Sequence, residues 1–262
     1  MMNRTRIALA ALVLAGQAVA ADVQHPPIRV ILVGDSTMAT KSGYGDALCA
    51  RFTPDVTCVN LARGGRSSAS FRAEGRWDEV QRMLKDGASF KANYVLVQFG
   101  HNDQPGKPGR STDLVTAFPA NMARYARETR EPGGVPVLVT PLTRRTFKGA
   151  YLANDLAPWA DATRGAAARE HAVLLDLNRD SYDAVQAMGQ DDADTLAAAP
   201  RPPGYGLPAD PNKVEPAGAA KSAFDRTHLG SKGAEFFARM VERELVAARP
   251  ETARYFKDGG KP

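Results

Sequence analysis

The stretch Ile28–Thr37, which reads IRVILVGDST, decides how this chain folds. Its run of Val, Ile and Leu is typical of a strand that is buried on both faces of a sheet. Gly34 lets the backbone turn where that strand ends, because glycine has no Cβ. Ser36 follows at the carboxyl end of the strand, where open α/β sheets place their ligands. Ser36 is therefore a candidate nucleophile, although a serine here is equally typical of a helix N-cap.

Four further apolar runs alternate with helical patterns along the chain. The predicted strands are 28–33, 56–61, 94–99, 135–140 and 172–177, and the predicted helices are 45–52, 77–87, 119–130, 158–170, 181–189, 191–199 and 231–248. The segments 104–113 and 201–218 are polar and rich in Gly and Pro, so we expect surface loops there. Strands that alternate with helices form a parallel sheet covered on both faces. We therefore predict the α/β class, with one three-layer α/β/α domain around a five-stranded parallel sheet.

The amino-terminal residues have the features of an export signal. Arg4 and Arg6 give a basic start, Ile7–Gly16 is an apolar run, and Ala18-Val19-Ala20 offers the small residues that a signal peptidase reads. We expect residues 1–20 to be a cleaved signal peptide and residues 21–262 to form the single domain. The apolar run is short for a membrane span, although an uncleaved anchor is the alternative. A secreted or periplasmic protein without further membrane association is predicted.

The charge of the chain favours anionic partners but not nucleic acid. The formal net charge is +5, and it falls to +3 when the leader with its two arginines is removed. Such a balance steers anions towards a protein without deciding its fold. No run of Lys or Arg is interleaved with aromatic residues, and no nucleic-acid motif is present. We expect no nucleic-acid partner and a monomeric protein.

Cysteine is rare in this sequence. Cys49 and Cys58 are the two cysteines, and they are nine residues apart, between a predicted helix and the next strand. Export to an oxidising compartment favours a disulfide between them. Two independently buried thiols are the alternative.

Several chemistry-bearing motifs are absent, and a set of four short blocks remains. The sequence has no phosphate-binding loop, no Gly-x-Gly-x-x-Gly, no His-Glu-x-x-His and no Cys-x-x-Cys. We therefore expect neither a metal nor an organic cofactor. Ser36, Gly65 and Asn102 each follow one of the first three strands, and Asp225 and His228 precede the last helix. Each block alone is also typical of a turn, but a serine, an imidazole, a carboxylate and fixed N–H donors together are what acyl transfer requires.

These blocks resemble those of a known family. Gly34-Asp35-Ser36, the Gly65 turn, Gly100-x-Asn102-Asp103 and Asp225-x-x-His228 are similar to the four blocks of the SGNH (GDSL-type) hydrolases. The likeness covers nearly all of the mature chain. Within that superfamily the segments 60–67, 99–103 and 140–147 look most like the rhamnogalacturonan acetylesterases of carbohydrate esterase family 12. The resemblance implies a flavodoxin-like sheet with the strand order 2-1-3-4-5.

The resemblance also implies a role for each residue. Ser36 would be the nucleophile, His228 the general base and then acid, and Asp225 the carboxylate that orients it. The oxyanion hole would consist of the Ser36 and Gly65 backbone N–H groups and the Asn102 side-chain amide. The reaction would pass through an acetyl-enzyme that water hydrolyses, without any cofactor.

The substrate implied by the family is an acetylated acidic polysaccharide. Arg66, Arg144 and Arg145 are candidates for binding its carboxylates, because a guanidinium holds a carboxylate bidentately. Ordinary surface charge is the alternative for each arginine. His101 either contacts the substrate or caps its own loop.

Three other functions are compatible with the same residues. The first is an esterase or lipase that acts on xylan, a lipid ester, a thioester or a small ester. The second is a polysaccharide O-acetyltransferase that excludes water. The third is a carbohydrate-binding protein without activity, which the complete set of five site residues disfavours.

Overall fold

A computed structural model describes residues 26–205 and 223–260. The predicted signal peptide and most of the predicted loop 201–218 lie outside the described residues. The strands are β1 (Ile28–Gly34), β2 (Val56–Asn60), β3 (Asn93–Gln98), β4 (Val135–Val139), β5 (Phe147–Lys148), β6 (Tyr151–Leu152) and β7 (Val173–Leu175). The α-helices are α1 (Gly45–Arg51), α2 (Ser70–Ala73), α3 (Arg76–Lys85), α4 (Ala117–Arg130), α5 (Ala157–Arg169), α6 (Leu177–Asp194) and α7 (Ser231–Ala248). Short 3₁₀ helices span Gly87–Ser89 and Pro250–Tyr255.

Five strands form one parallel sheet in the order β2-β1-β3-β4-β7. Because β7 is the fifth predicted strand, this is the predicted order 2-1-3-4-5, and the α/β fold class is confirmed. Val30 at the middle of β1 pairs with Cys58 of β2 on one side and Tyr94 of β3 on the other. The strands β5 and β6 form a separate antiparallel hairpin, which the sequence pattern does not predict.

The alternation of side chains along β1 divides the core into two layers. Val30 and Leu32 point to a layer with α7 residues such as Phe237, whereas Ile31 and Val33 point to a layer with helices α3, α4 and α5. All seven residues of β1 are buried, as the continuous apolar run predicts. The sheet is therefore covered on both faces.

The region after the last sheet strand differs from the prediction. The predicted strand 172–177 ends at Leu175, because Leu177 already begins α6. The two predicted helices 181–189 and 191–199 correspond to two helical stretches within α6 on either side of Gly189, whose backbone (φ 75°, ψ 171°) is not helical, but the first stretch begins earlier, at Leu177, and the second ends earlier, at Asp194. A glycine adopts this positive φ without a Cβ clash, so the helix direction changes there.

A disulfide links the two cysteines. Cys49 in α1 is bonded to Cys58 in β2, with their Cα atoms 5.4 Å apart. The bond links α1 to β2, the strand at one edge of the sheet.

The carboxyl ends of the parallel strands bring the sequence blocks to one edge. The loops after β1, β2 and β3 leave the sheet there, as the topology requires. The segment after β4 reaches the loop before α7, where the Arg145 N–H donates to the Arg226 carbonyl at 2.9 Å. Within the described ranges, no helix is both long and apolar enough to cross a membrane.

Candidate active site

The turn after β1 presents Ser36 at the edge of the sheet. A Cβ on Gly34 would lie 2.8 Å from the Gln98 backbone oxygen, so the close approach of β3 requires glycine here. Asp35 is fully buried and shapes the turn, because its Oδ1 accepts the Thr37 backbone N–H at 2.9 Å and the Thr37 hydroxyl at 2.8 Å. The Ser36 side chain is left partly exposed, beyond the end of the strand.

His228 and Asp225 form a hydrogen-bonded relay with Ser36. His228 Nε2 lies 2.9 Å from Ser36 Oγ, and His228 Nδ1 lies 2.8 Å from Asp225 Oδ2. Burial alone would raise the pKa of Asp225, but hydrogen bonds from the His228 ring and from the His228 and Thr227 backbone N–H groups hold that pKa below its ordinary value. Asp225 is therefore ionised at neutral pH. Its charge favours the proton on Nδ1 and leaves Nε2 to accept the proton of Ser36.

Arg145 holds the loop of Asp225 and His228 from the interior. Its fully buried guanidinium donates to the backbone oxygens of Asp225 at 3.2 Å, Thr227 at 3.4 Å and His228 at 2.7 Å. Burial lowers the pKa of Arg145 to about 10, so the group stays charged at neutral pH. The hypothesis that Arg145 binds a substrate carboxylate is wrong, because the guanidinium is enclosed and occupied by backbone acceptors.

Two loops from neighbouring strands hold the candidate oxyanion donors. Gly65 follows β2 with a φ of +79°, and a Cβ on the preceding Gly64 would lie 3.7 Å from the Ser36 Cβ. Asn102 follows β3, and its Nδ2 donates to the Arg66 carbonyl at 3.0 Å. The second hydrogen of that amide is left for a ligand. The two loops thus adjoin each other and the nucleophile turn, as an oxyanion hole requires.

Asp103 fastens these two loops together. Its buried Oδ1 accepts the Ser68 hydroxyl at 2.6 Å, the Ser68 backbone N–H at 3.0 Å and the Thr112 hydroxyl at 2.9 Å. Burial raises the pKa of Asp103 to about 6 in spite of these hydrogen bonds. The turn after β2 and the loop after β3 are therefore fixed relative to each other, which preorganises the donors that they carry.

The sequence also matches a known family model, described as GDSL-like Lipase/Acylhydrolase, over residues 30–241. The chain belongs to this family. It is 31% identical over 226 residues to the rhamnogalacturonan acetylesterase RhgT of Bacillus subtilis, with 82% of this chain and 88% of RhgT covered. It is 27% identical to the probable rhamnogalacturonan acetylesterase YesY of the same organism, with 83% and 92% covered. This GDSL-family protein is therefore a carboxylic ester hydrolase.

Solved structures share the fold of this hydrolase. The protein YxiM of Bacillus subtilis superposes with a TM-score of 0.65 at 21% identity, and the match covers 84% of this chain but 56% of YxiM. Axe2, an acetylxylan esterase from Geobacillus stearothermophilus, superposes with a TM-score of 0.55 at 16% identity, with 83% and 93% covered. At these identities the likeness shows the fold alone.

His101 of the GDSL hydrolase lies beneath the nucleophile turn and not on the open side of the site. Its side chain is 3% exposed, and its Nδ1 lies 3.3 Å from Asp35 Oδ2. Burial alone would raise the pKa of Asp35, but His101 and the hydrogen bonds from Thr37 outweigh it and lower that pKa. The structure therefore places His101 against the turn that carries Ser36, so a direct contact with substrate is not available to it.

Arg66 and Arg144 already have carboxylate partners. Arg66 Nε lies 3.0 Å from Glu74 Oε2, and its Nη1 donates to the Gly64 carbonyl at 2.8 Å. Arg144 forms an ion pair with Asp155 and donates to Gln104 Oε1 at 2.8 Å. Each arginine therefore stabilises a loop at the site through contacts within the protein.

Sequence reasoning missed two cations beside the oxyanion loops. Lys107 Nζ donates to the His101 carbonyl at 2.6 Å, and Arg110 Nη1 lies 3.5 Å from Asn102 Oδ1. Both residues belong to the segment 104–113, where Gly and Pro indicate only a connecting loop. The proximity of these residues to Asn102 in the sequence is the one local feature that could have drawn attention to them.

Proposed function

We propose that this hydrolase is an exported serine acetylesterase that removes O-acetyl groups from rhamnogalacturonan, an acidic plant cell-wall polysaccharide. The observation that carries the proposal is the relay from Ser36 Oγ to His228 Nε2 at 2.9 Å and from His228 Nδ1 to Asp225 Oδ2 at 2.8 Å. The names of RhgT and YesY support the substrate. The N-terminal signal pattern and the disulfide support export, because disulfides persist in oxidising compartments.

The relay supports a two-step mechanism. Ser36 Oγ attacks the acetyl carbonyl carbon while His228 Nε2 takes the hydroxyl proton, and the resulting oxyanion receives hydrogen bonds from the Ser36 and Gly65 N–H groups and the Asn102 amide. The bond to the sugar oxygen then breaks, and His228 returns the proton to that leaving oxygen. His228 next takes a proton from water as the water oxygen attacks the acetyl-enzyme. Ser36 leaves with that proton, and acetate is released.

A polar groove beside the nucleophile favours a sugar over a lipid chain. The groove has a volume of about 530 Å³ and is not lined by the triad itself, but it reaches Ser42, whose hydroxyl donates to the Ser36 carbonyl at 2.8 Å, and Gly64, on which a Cβ would lie 3.7 Å from the Ser36 Cβ. Its polar or charged lining residues are Thr40, Ser42, Asn60, Arg63, Arg76 and Glu79. Such groups match sugar hydroxyls, whereas a long acyl chain would leave them without hydrogen-bond partners.

Acetate release from three polymers tests the proposal. We would compare wild type and Ser36→Ala on acetylated rhamnogalacturonan, acetylated homogalacturonan and acetylated xylan. Release from rhamnogalacturonan that is lost in the variant is the expected result. Release from xylan or small esters alone would retain Ser36 and overturn the pectin substrate. A folded protein that releases no acetate by hydrolysis, but transfers acetyl groups from one sugar to another, would instead be an O-acetyltransferase.

A further inference from the structure

The cations available to a substrate anion are not the arginines that the sequence highlights. Among those arginines, Arg145 is enclosed, and Arg66 and Arg144 are paired with Glu74 and Asp155. Lys107 and Arg110 form no ion pair with a carboxylate within residues 26–205 and 223–260. Each is partly exposed. The loop 104–113 therefore carries two positive charges that no carboxylate of the described residues pairs with directly.

Both charges lie next to the oxyanion hole. Arg110 Nη1 is 3.5 Å from Asn102 Oδ1, and a Cβ placed on Gly65 would meet the same nitrogen at 3.7 Å. The guanidinium thus adjoins both loops that carry oxyanion donors. Lys107 Nζ is anchored on the His101 carbonyl, one residue before Asn102. An anion bound here would therefore lie on the Asn102 side of the oxyanion hole.

The loop that presents these cations is held in place by its own hydrogen bonds. The Ser111 hydroxyl donates to the Gln104 carbonyl at 2.8 Å and accepts the Lys107 backbone N–H at 2.9 Å. The Thr112 backbone N–H donates to the Asp103 carbonyl at 2.9 Å. Cations on a loop that is already fixed lose little conformational entropy when a ligand binds, whereas a mobile surface lysine loses more.

Like charges are crowded at this position. Burial and the nearby positive charges of Arg144 and Arg110 lower the pKa of Lys107, although Asp35 and Asp155 oppose the shift. Bringing cations together costs free energy that an anionic ligand recovers. A carboxylate suits this site because a guanidinium and an ammonium donate several charge-assisted hydrogen bonds to its two oxygens.

We propose that Lys107 and Arg110 form a binding site for a uronic acid carboxylate of the acetylated polysaccharide, beside the Asn102 side of the oxyanion hole. This proposal rests on the proposed function and adds the residues that select an acidic chain. It shifts that role away from Arg66, Arg144 and Arg145. A neutral polymer such as acetylated xylan presents no partner for these two charges.

Binding without turnover provides the first test. The Ser36→Ala protein would be titrated calorimetrically with rhamnogalacturonan oligomers that carry no acetyl groups. Adding Arg110→Gln should weaken the Kd by about tenfold, since a lost charge-assisted hydrogen bond of about 1.4 kcal/mol corresponds to that factor. Adding Lys107→Gln as well should weaken it further. Lys91→Gln is the matched control, because Lys91 is exposed just before the amino end of β3, at the opposite edge of the sheet. An unchanged Kd in the Arg110→Gln protein, or an equal loss in the control, would overturn the site.

A kinetic ratio separates this proposal from the proposed function. Acetate release would be measured on acetylated rhamnogalacturonan and on the same polymer with its carboxyl groups methyl-esterified. The Arg110→Gln substitution should raise KM more for the acidic polymer than for the esterified one. The ratio of the two KM values, acidic over esterified, should increase by about tenfold. Arg110→Lys, which keeps the charge, should recover part of the loss. Equal losses on the two polymers would refute the carboxylate site while leaving the esterase intact, whereas an absence of release by wild type from either polymer would refute the proposed function itself.

Discussion

One carboxylate holds both the ring and the backbone of His228: Asp225 Oδ2 lies 2.8 Å from the imidazole Nδ1, and Asp225 Oδ1 accepts the His228 backbone N–H at 2.7 Å. Oδ1 also accepts the Thr227 N–H at 2.7 Å. The spacing of three residues makes this double contact available within one turn. Asp225 therefore sets the direction of the ring as well as its tautomer, and one short loop delivers the base to Ser36.

The Asp225→Asn variant should lose most of its activity although the loop is retained. Two backbone N–H groups favour the amide oxygen at the Oδ1 position, so the amide NH₂ would face the imidazole. The ring would then carry its proton on Nε2 and could not accept the proton of Ser36. We expect kcat on p-nitrophenyl acetate to fall by about 10³- to 10⁴-fold, as for a wrong tautomer elsewhere. Asp191→Asn, at an exposed aspartate, is the control; comparable activity in both variants would contradict the assigned role of Asp225.

Asn102→Ala should reduce turnover without unfolding the protein. The variant removes one oxyanion donor, so kcat should fall by about 10²- to 10³-fold. It also removes the hydrogen bond to the Arg66 carbonyl, which is worth about 1 kcal/mol of stability. Steady-state kinetics together with a thermal melt separate the two effects. Full activity in a folded variant would exclude Asn102 from the oxyanion hole.

Arg145 should act as a positioning residue for the triad. Arg145→Met leaves three partly buried carbonyl oxygens without this donor, so we expect a loss of about 2 to 3 kcal/mol in the free energy of unfolding and a drop in kcat larger than any change in KM. Arg145→Lys keeps the charge but cannot reach all three oxygens, so it should recover stability more than turnover. The midpoint of the pH profile of kcat/KM should move as well, which a merely structural residue would not cause.

Urea unfolding and kinetics of both Arg145 variants check this prediction. Arg239→Met serves as the control, because Arg239 forms an exposed ion pair with Glu235 that contributes little. Stability and kcat that stay at wild-type values in Arg145→Met would show that the loop of Asp225 and His228 is held by other contacts.

The sequence predicts the strands and the triad because their determinants are local. A β-branched run that ends in Gly34 and Ser36 identifies a strand and its functional end without knowledge of the rest of the chain. The environment of Arg145 depends instead on how the segment after β4 passes under a loop 80 residues away in the sequence. The residues adjacent to Arg145 in the sequence do not indicate that contact. The position of Lys107 and Arg110 could not be predicted for the same reason, because they approach the oxyanion loops only through the path of an irregular segment. The break at Gly189 is local as well, because glycine adopts a positive φ without a Cβ clash, and the predicted boundary between two helices falls there.

The buried carboxylate of Glu244 should make stability depend on pH. Glu244 lies on α7, and both of its carboxylate oxygens are buried without a hydrogen-bond partner among the described residues. Burial, followed by the charges of Asp180 and Asp176, raises its pKa to about 8. An unfolded glutamate has a pKa of about 4.3. Between these two values the folded protein keeps a proton that the unfolded chain releases, so this group stabilises the fold at low pH, and that contribution is lost as the pH rises towards 8.

Glu244→Gln should therefore be increasingly stable relative to wild type as the pH rises. The amide stays neutral, so the variant lacks the cost of ionising a buried carboxyl group, and its advantage should be small at pH 5 and largest above pH 8. Urea unfolding at pH 5, 7 and 8.5 measures the difference in the free energy of unfolding. Glu131→Gln, at an exposed position after α4, should follow wild type at every pH. If the difference between Glu244→Gln and wild type is the same at pH 5 and pH 8.5, the carboxyl group of Glu244 does not titrate in this range, because only a change in its protonation couples the folding equilibrium to pH there.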